Sequence, residues 1–256
     1  MTMGHNGCAK TMREAPCILS ASMTGCGGGG GGKWKRKSNH SLGTTLAHFK
    51  YRKLEGKIMR RSIFSFLRGN DLNTVLIIPG LGGSGAEHWQ ARWVENHPQC
   101  QSVQQNNWNL PEYSGWIEGL ETAIQDCATP PYLVAHSLGC AVVAHWALKH
   151  SGTAIQGALM VAPADVNSED HTPPETRIFA PMPMTQLPFN STVVASTNDP
   201  YVDLQQAKLF ATAWGSDFIN VGACGHINAD SHLDNWDEGW DILTEMTQAR
   251  TALSQA

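Results

Sequence analysis

Between Leu72 and Met246 short apolar runs alternate with amphipathic stretches at a regular spacing. Thr74-Val75-Leu76-Ile77-Ile78 is wholly apolar after its first residue and is closed by Pro79-Gly80, which predicts a central parallel strand. A glycine-rich loop (residues 80–85) leads into a helical pattern from His88 to Asn96. Ser102 to Trp108 reads as a second, more polar strand. Glu112 to Asp126 reads as a helix with Trp116, Leu120, Ala123 and Ile124 on one face. Strands follow at Tyr132–Ala135, Ala158–Ala162, Thr192–Ser196 and Asp217–Val221, with helices after Ser137, from Val202 to Trp214 and from about Leu233 to Gln248. A proline-rich connection runs from Pro163 to Asn190. About six strands alternating with helices predict one α/β domain (residues 71–256), a mostly parallel sheet covered by helices on both faces.

Residues 1–70 break this texture. They show no periodicity and hold the glycine run Gly27 to Gly32, followed by Lys33-Trp34-Lys35-Arg36-Lys37. Such a segment buries too little apolar surface to offset its ordering entropy, so it is expected to be a disordered basic leader. It fits a transit segment, a polyanion-binding arm, or a stretch outside the working protein with Met59 as the true start; the last reading is preferred.

Charge sharpens the division. The net charge of −4 conceals a leader holding thirteen of the 18 Lys and Arg but two of the 22 Asp and Glu. The body is therefore acidic, which argues against nucleic acid as its partner. The 7 cysteines are dispersed without Cys-x-x-Cys spacing, which fits reduced thiols and a cytoplasmic location. No apolar run approaches the roughly 18 residues of a membrane span.

In an open parallel sheet, ligands bind beyond the carboxyl ends of the strands. After the first strand comes the glycine loop; after the third, Ser137; after the fifth, Asn198-Asp199-Pro200; after the last, Gly225-His226-Ile227-Asn228. Ala135-His136-Ser137-Leu138-Gly139 is one methyl away from the Gly-x-Ser-x-Gly nucleophile elbow. The order Ser, Asp, His is that of α/β-hydrolases. Ser137 is then the candidate nucleophile, His226 its base and Asp199 the acid that orients the imidazole. The amide of Leu138 and one from the glycine loop, Leu81 with Gly82 as alternative, are the candidate oxyanion donors.

Other residues compete for these roles. Asp203 is a rival acid, and His232 a rival base. Cys140 and Cys224 lie near the site but read as packing thiols, and His136 as structural. His226, Asp230 and His232 lack the Cys pairs or i,i+4 histidines of a metal site. Gly80-Leu81-Gly82-Gly83-Ser84-Gly85 matches a dinucleotide fingerprint, yet no acid closes the second strand, and Gly-Lys-Ser/Thr is absent. His88, Trp89, Trp108 and residues 179–189 are candidate substrate walls, although large aromatics at such positions more commonly build the core.

Pro79 to Trp93 (Pro-Gly-Leu-Gly-Gly-Ser-Gly-x-x-His-Trp-Gln-x-x-Trp), Trp108-x-x-Pro111-x-x-x-x-Trp116, Ala-His-Ser-Leu-Gly, Val161 to Asp165, Leu187 to Phe189, Ala195 to Tyr201 and Gly225 to Asn228 together resemble a family of small serine hydrolases, the YdeN-like or retinoblastoma-binding-protein-nine-like proteins. The resemblance implies a compact α/β-hydrolase with no large lid and no metal or cofactor. It also implies Ser137, Asp199 and His226 as a triad acting on a small-molecule ester or similar acyl bond through an acyl-enzyme. A noncatalytic module using the same pocket for a protein partner is the alternative. Ala135 departs from the elbow glycine, and residues before Leu72 have no counterpart.

Overall fold

A computed structural model describes residues 74–254; the leader lies outside the described residues. Six strands form one sheet: β1 (Val75–Ile78), β2 (Cys100–Ser102), β3 (Tyr132–His136), β4 (Gly157–Val161), β5 (Ser191–Ala195) and β6 (Asp217–Asn220). Their order is β2-β1-β3-β4-β5-β6, and every neighbouring pair is parallel. Five α-helices connect or follow them: α1 (Trp89–Asn96), α2 (Tyr113–Gln125), α3 (Leu138–Lys149), α4 (Leu204–Trp214) and α5 (Asp237–Ser254). Among the described residues the architecture is the α/β-hydrolase type expected.

The inner strands β1, β3 and β4 are largely apolar because both faces of the sheet are covered, whereas the edge strands β2 and β6 are more polar and partly exposed. Side chains alternate with the strand period: Leu76, Ile78, Leu133, Ala135 and Met160 face α2, α3 and α4, whereas Val75, Ile77, Val134, Leu159 and Val161 face α1 and α5. Each buried aliphatic side chain stabilises the fold by about 1.5–3 kcal/mol. Helix α2 buries Trp116, Ile117, Leu120 and Ile124, a stripe at helical spacing. Helix α3 is buried along most of its length, which accounts for its lack of a polar face.

Two expectations need correction. The second strand is short and ends at Ser102; Val103 donates one more bond to the Ile77 carbonyl oxygen (2.9 Å) before the chain leaves the sheet. Gln104, Asn106 and Asn107 are exposed, and the Asn107 side chain turns the chain by accepting from the Asn109 and Leu110 amides. Polar residues with no alternation have no face to bury, so the edge pairing stops. The last helix starts at Asp237, not near Leu233, because positive φ at Asp234 (50°) and Trp236 (44°) turns the chain and seats Trp236 against Trp89 and Trp93. Within the proline-rich connection, Pro174–Phe179 form a 3-10 helix against α3.

Strand order reverses at β1, since β2 lies on one side of it and β3 on the other. The crevice that ligands favour in such sheets opens there, between the loops that follow β1 and β3.

Candidate active site

Ser137 stands between the end of β3 and the start of α3 with φ 56° and ψ −122°, a conformation that a non-glycine residue holds only under strain. The corner is this sharp because strand and helix approach closely. A Cβ at Gly139 would fall on the Ile78 carbonyl oxygen and lie 2.9 Å from that of Pro79; one at Gly80 would lie 2.8 Å from the Ser137 Cβ. Ala135 in place of the elbow glycine is fully buried within β3.

Asp199, after β5, and His226, after β6, come to this serine. His226 Nε2 is 2.8 Å from Ser137 Oγ, and its Nδ1 is 2.9 Å from both Asp199 carboxylate oxygens. The Asp199 side chain is sealed from solvent, and its Oδ1 also accepts from the Tyr201 amide (2.8 Å). With Nδ1–H donating to the carboxylate, Nε2 is left with its lone pair facing the Ser137 hydroxyl.

The histidine loop is pinned at four points. Cys224 and Gly225 donate their amides to Ser196 Oγ (2.9 Å) and Asn198 Oδ1 (2.7 Å). The carbonyl oxygens of His226 and Ile227 accept from His136 Nε2 (2.9 Å) and Trp89 Nε1 (2.7 Å). His136 is thus structural, but it acts on His226 itself, 90 residues away.

Of the oxyanion candidates, the Gly82 amide is committed to the Trp108 carbonyl oxygen (2.8 Å). The amides of Leu81 and Leu138 donate to no described residue. Segment 103–108, which is not a strand, therefore has a different job: Trp108 packs on Gly83 and braces the glycine loop.

The rivals fall away from the site. Asp203 is exposed and its carboxylate lies 3.4 Å from His171 Nε2. His232 follows a short 3-10 turn (Ala229–Ser231) in a left-handed conformation and makes no contact with Ser137. Among the described residues no group of three His, Cys, Asp or Glu could hold a metal ion, and no helix is long and apolar enough to cross a membrane. Cys140 is fully buried with its thiol directed at the Ala135 and Val161 carbonyl oxygens, and burial pushes its pKa well up. Cys224 is half-buried, and its thiol is shifted the same way by burial and then by Glu238.

Two further imidazoles adjoin the site. His88 caps α1 by accepting the Gln90 amide at Nδ1 (3.1 Å), and burial, then His226, lowers its pKa from 6.5 to about 4. His136 is held well below the usual histidine range by burial and by His226 and His88.

The cleft over Ser137 has a volume of about 360 Å³. His88 lines it as expected, but the other foreseen walls do not. Trp89 is core, and its Nε1 is spent on Ile227; Trp108 packs on Trp116; Phe179 is fully buried, and Phe189 packs on Trp146. The far wall is instead Ala164, Thr172, Pro173 and Thr176, with Tyr201 and Asn228 beside His226. Asn228 and Tyr201 follow the predicted histidine and aspartate at two residues and could have been found by that proximity; Thr172 and Pro173 carry no such signal.

Solved structures share this fold. A YdeN-like hydrolase from Pectobacterium atrosepticum is 29% identical with a TM-score of 0.62, covering 70% of this chain and 92% of its own. The ydeN gene product from B. subtilis is 21% identical with a TM-score of 0.55, covering 69% and 99%. Est1E from Butyrivibrio proteoclasticus, solved with ferulic acid bound, is 12% identical with a TM-score of 0.55, covering 69% and 90%. The two less similar structures speak to the fold alone. No curated protein matches by sequence. Residues 75–245 match the profile described as Serine hydrolase, and the chain belongs to that family.

Proposed function

We propose that the protein hydrolyses a carboxylic ester or similar acyl bond through an acyl-enzyme on Ser137. The observation that carries this reading is the 2.8 Å approach of His226 Nε2 to Ser137 Oγ. In the first step Ser137 Oγ attacks the acyl carbon while its proton passes to His226 Nε2. Asp199 stabilises the imidazolium, and the Leu138 and Leu81 amides receive the charge that gathers on the carbonyl oxygen. The carbon–oxygen bond to the alcohol then breaks, and the departing alcohol takes the proton. Water repeats the sequence in reverse roles and frees the acid. The chemistry so written uses no metal or cofactor.

The substrate is a small molecule, consistent with a cleft of about 360 Å³. A cytoplasmic setting is supported by the four unpaired cysteines among the described residues, and the leader is proposed to lie outside the working domain.

Labelling with a fluorophosphonate tests the reading. Wild type is expected to be modified at Ser137, and Ser137→Ala to take no label and lose ester turnover by at least about 10⁴-fold. A protein that stays unlabelled and turns over no ester is the noncatalytic binding module instead.

A further inference from the structure

The proposed reaction orders the cleft. The proton that His226 takes from Ser137 goes to the leaving alcohol, so the alcohol half of the ester departs on the histidine's side, away from the glycine loop and its amides. The largest side chain on that side is Tyr201. Its ring centroid lies 4.5 Å from that of His226, at an interplanar angle of 58°. Its backbone is held at both ends: the amide donates to Asp199 Oδ1 (2.8 Å), and the carbonyl oxygen accepts from the Asp165 amide (3.0 Å). The side chain nevertheless remains 38% exposed at the cleft. An aromatic ring on a fixed base, open on one side and beside the proton donor, is arranged to receive a flat group at little entropic cost.

The rest of the lining narrows the chemistry. Among the described residues no Lys, Arg, Asp or Glu lines the cleft. The Thr172 hydroxyl is spent on the Asp165 and Ser168 carbonyl oxygens, and that of Thr176 on Pro173, so both present little beyond their methyl groups. A charged substrate would find no counter-ion there, which disfavours it against a neutral one.

We propose that Tyr201 is the platform for the leaving alcohol and selects uncharged esters whose alcohol half is aromatic. This rests on the hydrolase reading above. The ring touches the alcohol only, so its influence ends when the alcohol leaves: Tyr201 governs acylation and is silent in deacylation, where water takes the alcohol's place.

The test compares phenyl and cyclohexyl butyrate on wild type, Tyr201→Ala and Tyr201→Phe, reading kcat/KM and, by intact mass, the decay of the butyryl-enzyme. The phenyl-to-cyclohexyl ratio of kcat/KM is expected to fall about 3- to 10-fold in Tyr201→Ala and to be retained in Tyr201→Phe, with acyl-enzyme decay equal in all three. An unchanged ratio in Tyr201→Ala overturns the proposal and leaves the hydrolase reading standing. So does a decay slowed in step with acylation, which would mean that Tyr201 merely braces Asp199 and His226. If neither ester ever acylates Ser137, the hydrolase reading fails and takes the proposal with it.

Discussion

The side chain of His136 holds the backbone of His226: its Nε2 lies 2.9 Å from the His226 carbonyl oxygen. The residue next to the elbow serine therefore fixes the loop whose imidazole reaches that serine. A carbonyl needs a donor here, so the Nε2–H tautomer is required, and a neutral ring supplies it; burial holds the ring neutral.

Replacing His136 by Ala should leave the His226 carbonyl unsatisfied and cost about 1–3 kcal/mol of stability. Loosening of the imidazole should lower kcat by about 10- to 100-fold, the scale of a misplacement near 1 Å. His136→Gln, which keeps an N–H at similar reach, should recover part of both. Urea denaturation and ester kinetics on the same samples check this.

Strain at Ser137 gives a second expectation. The φ of 56° with ψ −122° suits glycine and penalises any residue with a Cβ. Ser137→Gly and Ser137→Ala should both be inactive, yet the glycine variant should be more stable than the alanine variant by about 1–3 kcal/mol, the strain released. Equal denaturation midpoints would contradict the strain argument.

The two close glycines should fail differently. Gly139→Ala drives a methyl onto the Ile78 carbonyl oxygen, which is backbone on both sides of the contact and cannot step aside. Loss of more than about 3 kcal/mol is expected, seen as a collapse in folded yield. Gly80→Ala meets the Ser137 Cβ at 2.8 Å and the Leu138 amide nitrogen at 3.2 Å. It should fold, and lose about 10²-fold in kcat by displacing the nucleophile and its neighbouring amide.

Acid should weaken the fold through His88. Its folded pKa of about 4 lies below the ordinary 6.5, so between those values the unfolded chain binds a proton that the native state refuses. The contribution is therefore fully present above pH 6.5, is lost as pH falls towards 4, and levels off below; it amounts to on the order of 3 kcal/mol. His88→Asn keeps a side-chain acceptor for the Gln90 amide but does not titrate. The stability gap between the two proteins, measured in urea from pH 7.5 to 4, should change by that amount; parallel curves would exclude the effect.

The sheet could be read in the sequence because β1, β3 and β4 are short apolar runs bounded by turn residues, too brief for helices. Ser137, Asp199 and His226 could be read because each follows the carboxyl end of a strand. What could not be read arises between segments distant in the chain. The bond from His136 to His226 spans 90 residues, and nothing local marks the two as partners. By residue type alone Trp89 suits a cleft wall or the core; its indole is drawn inward by the Ile227 carbonyl oxygen and by Trp93 and Trp236. The cleft wall of Thr172 and Pro173 depends on how the connection after β4 folds back, which its proline-rich composition does not specify.

His226 follows the sixth strand, at the sheet margin farthest from β2, whereas Ser137 follows the third. On the proposed chemistry, a chain ending before the sixth strand would keep the bent corner at Ser137 but lack the imidazole that draws off the proton. The arming group comes from the far margin of the sheet, and Trp89 and His136 hold the two carbonyls behind it.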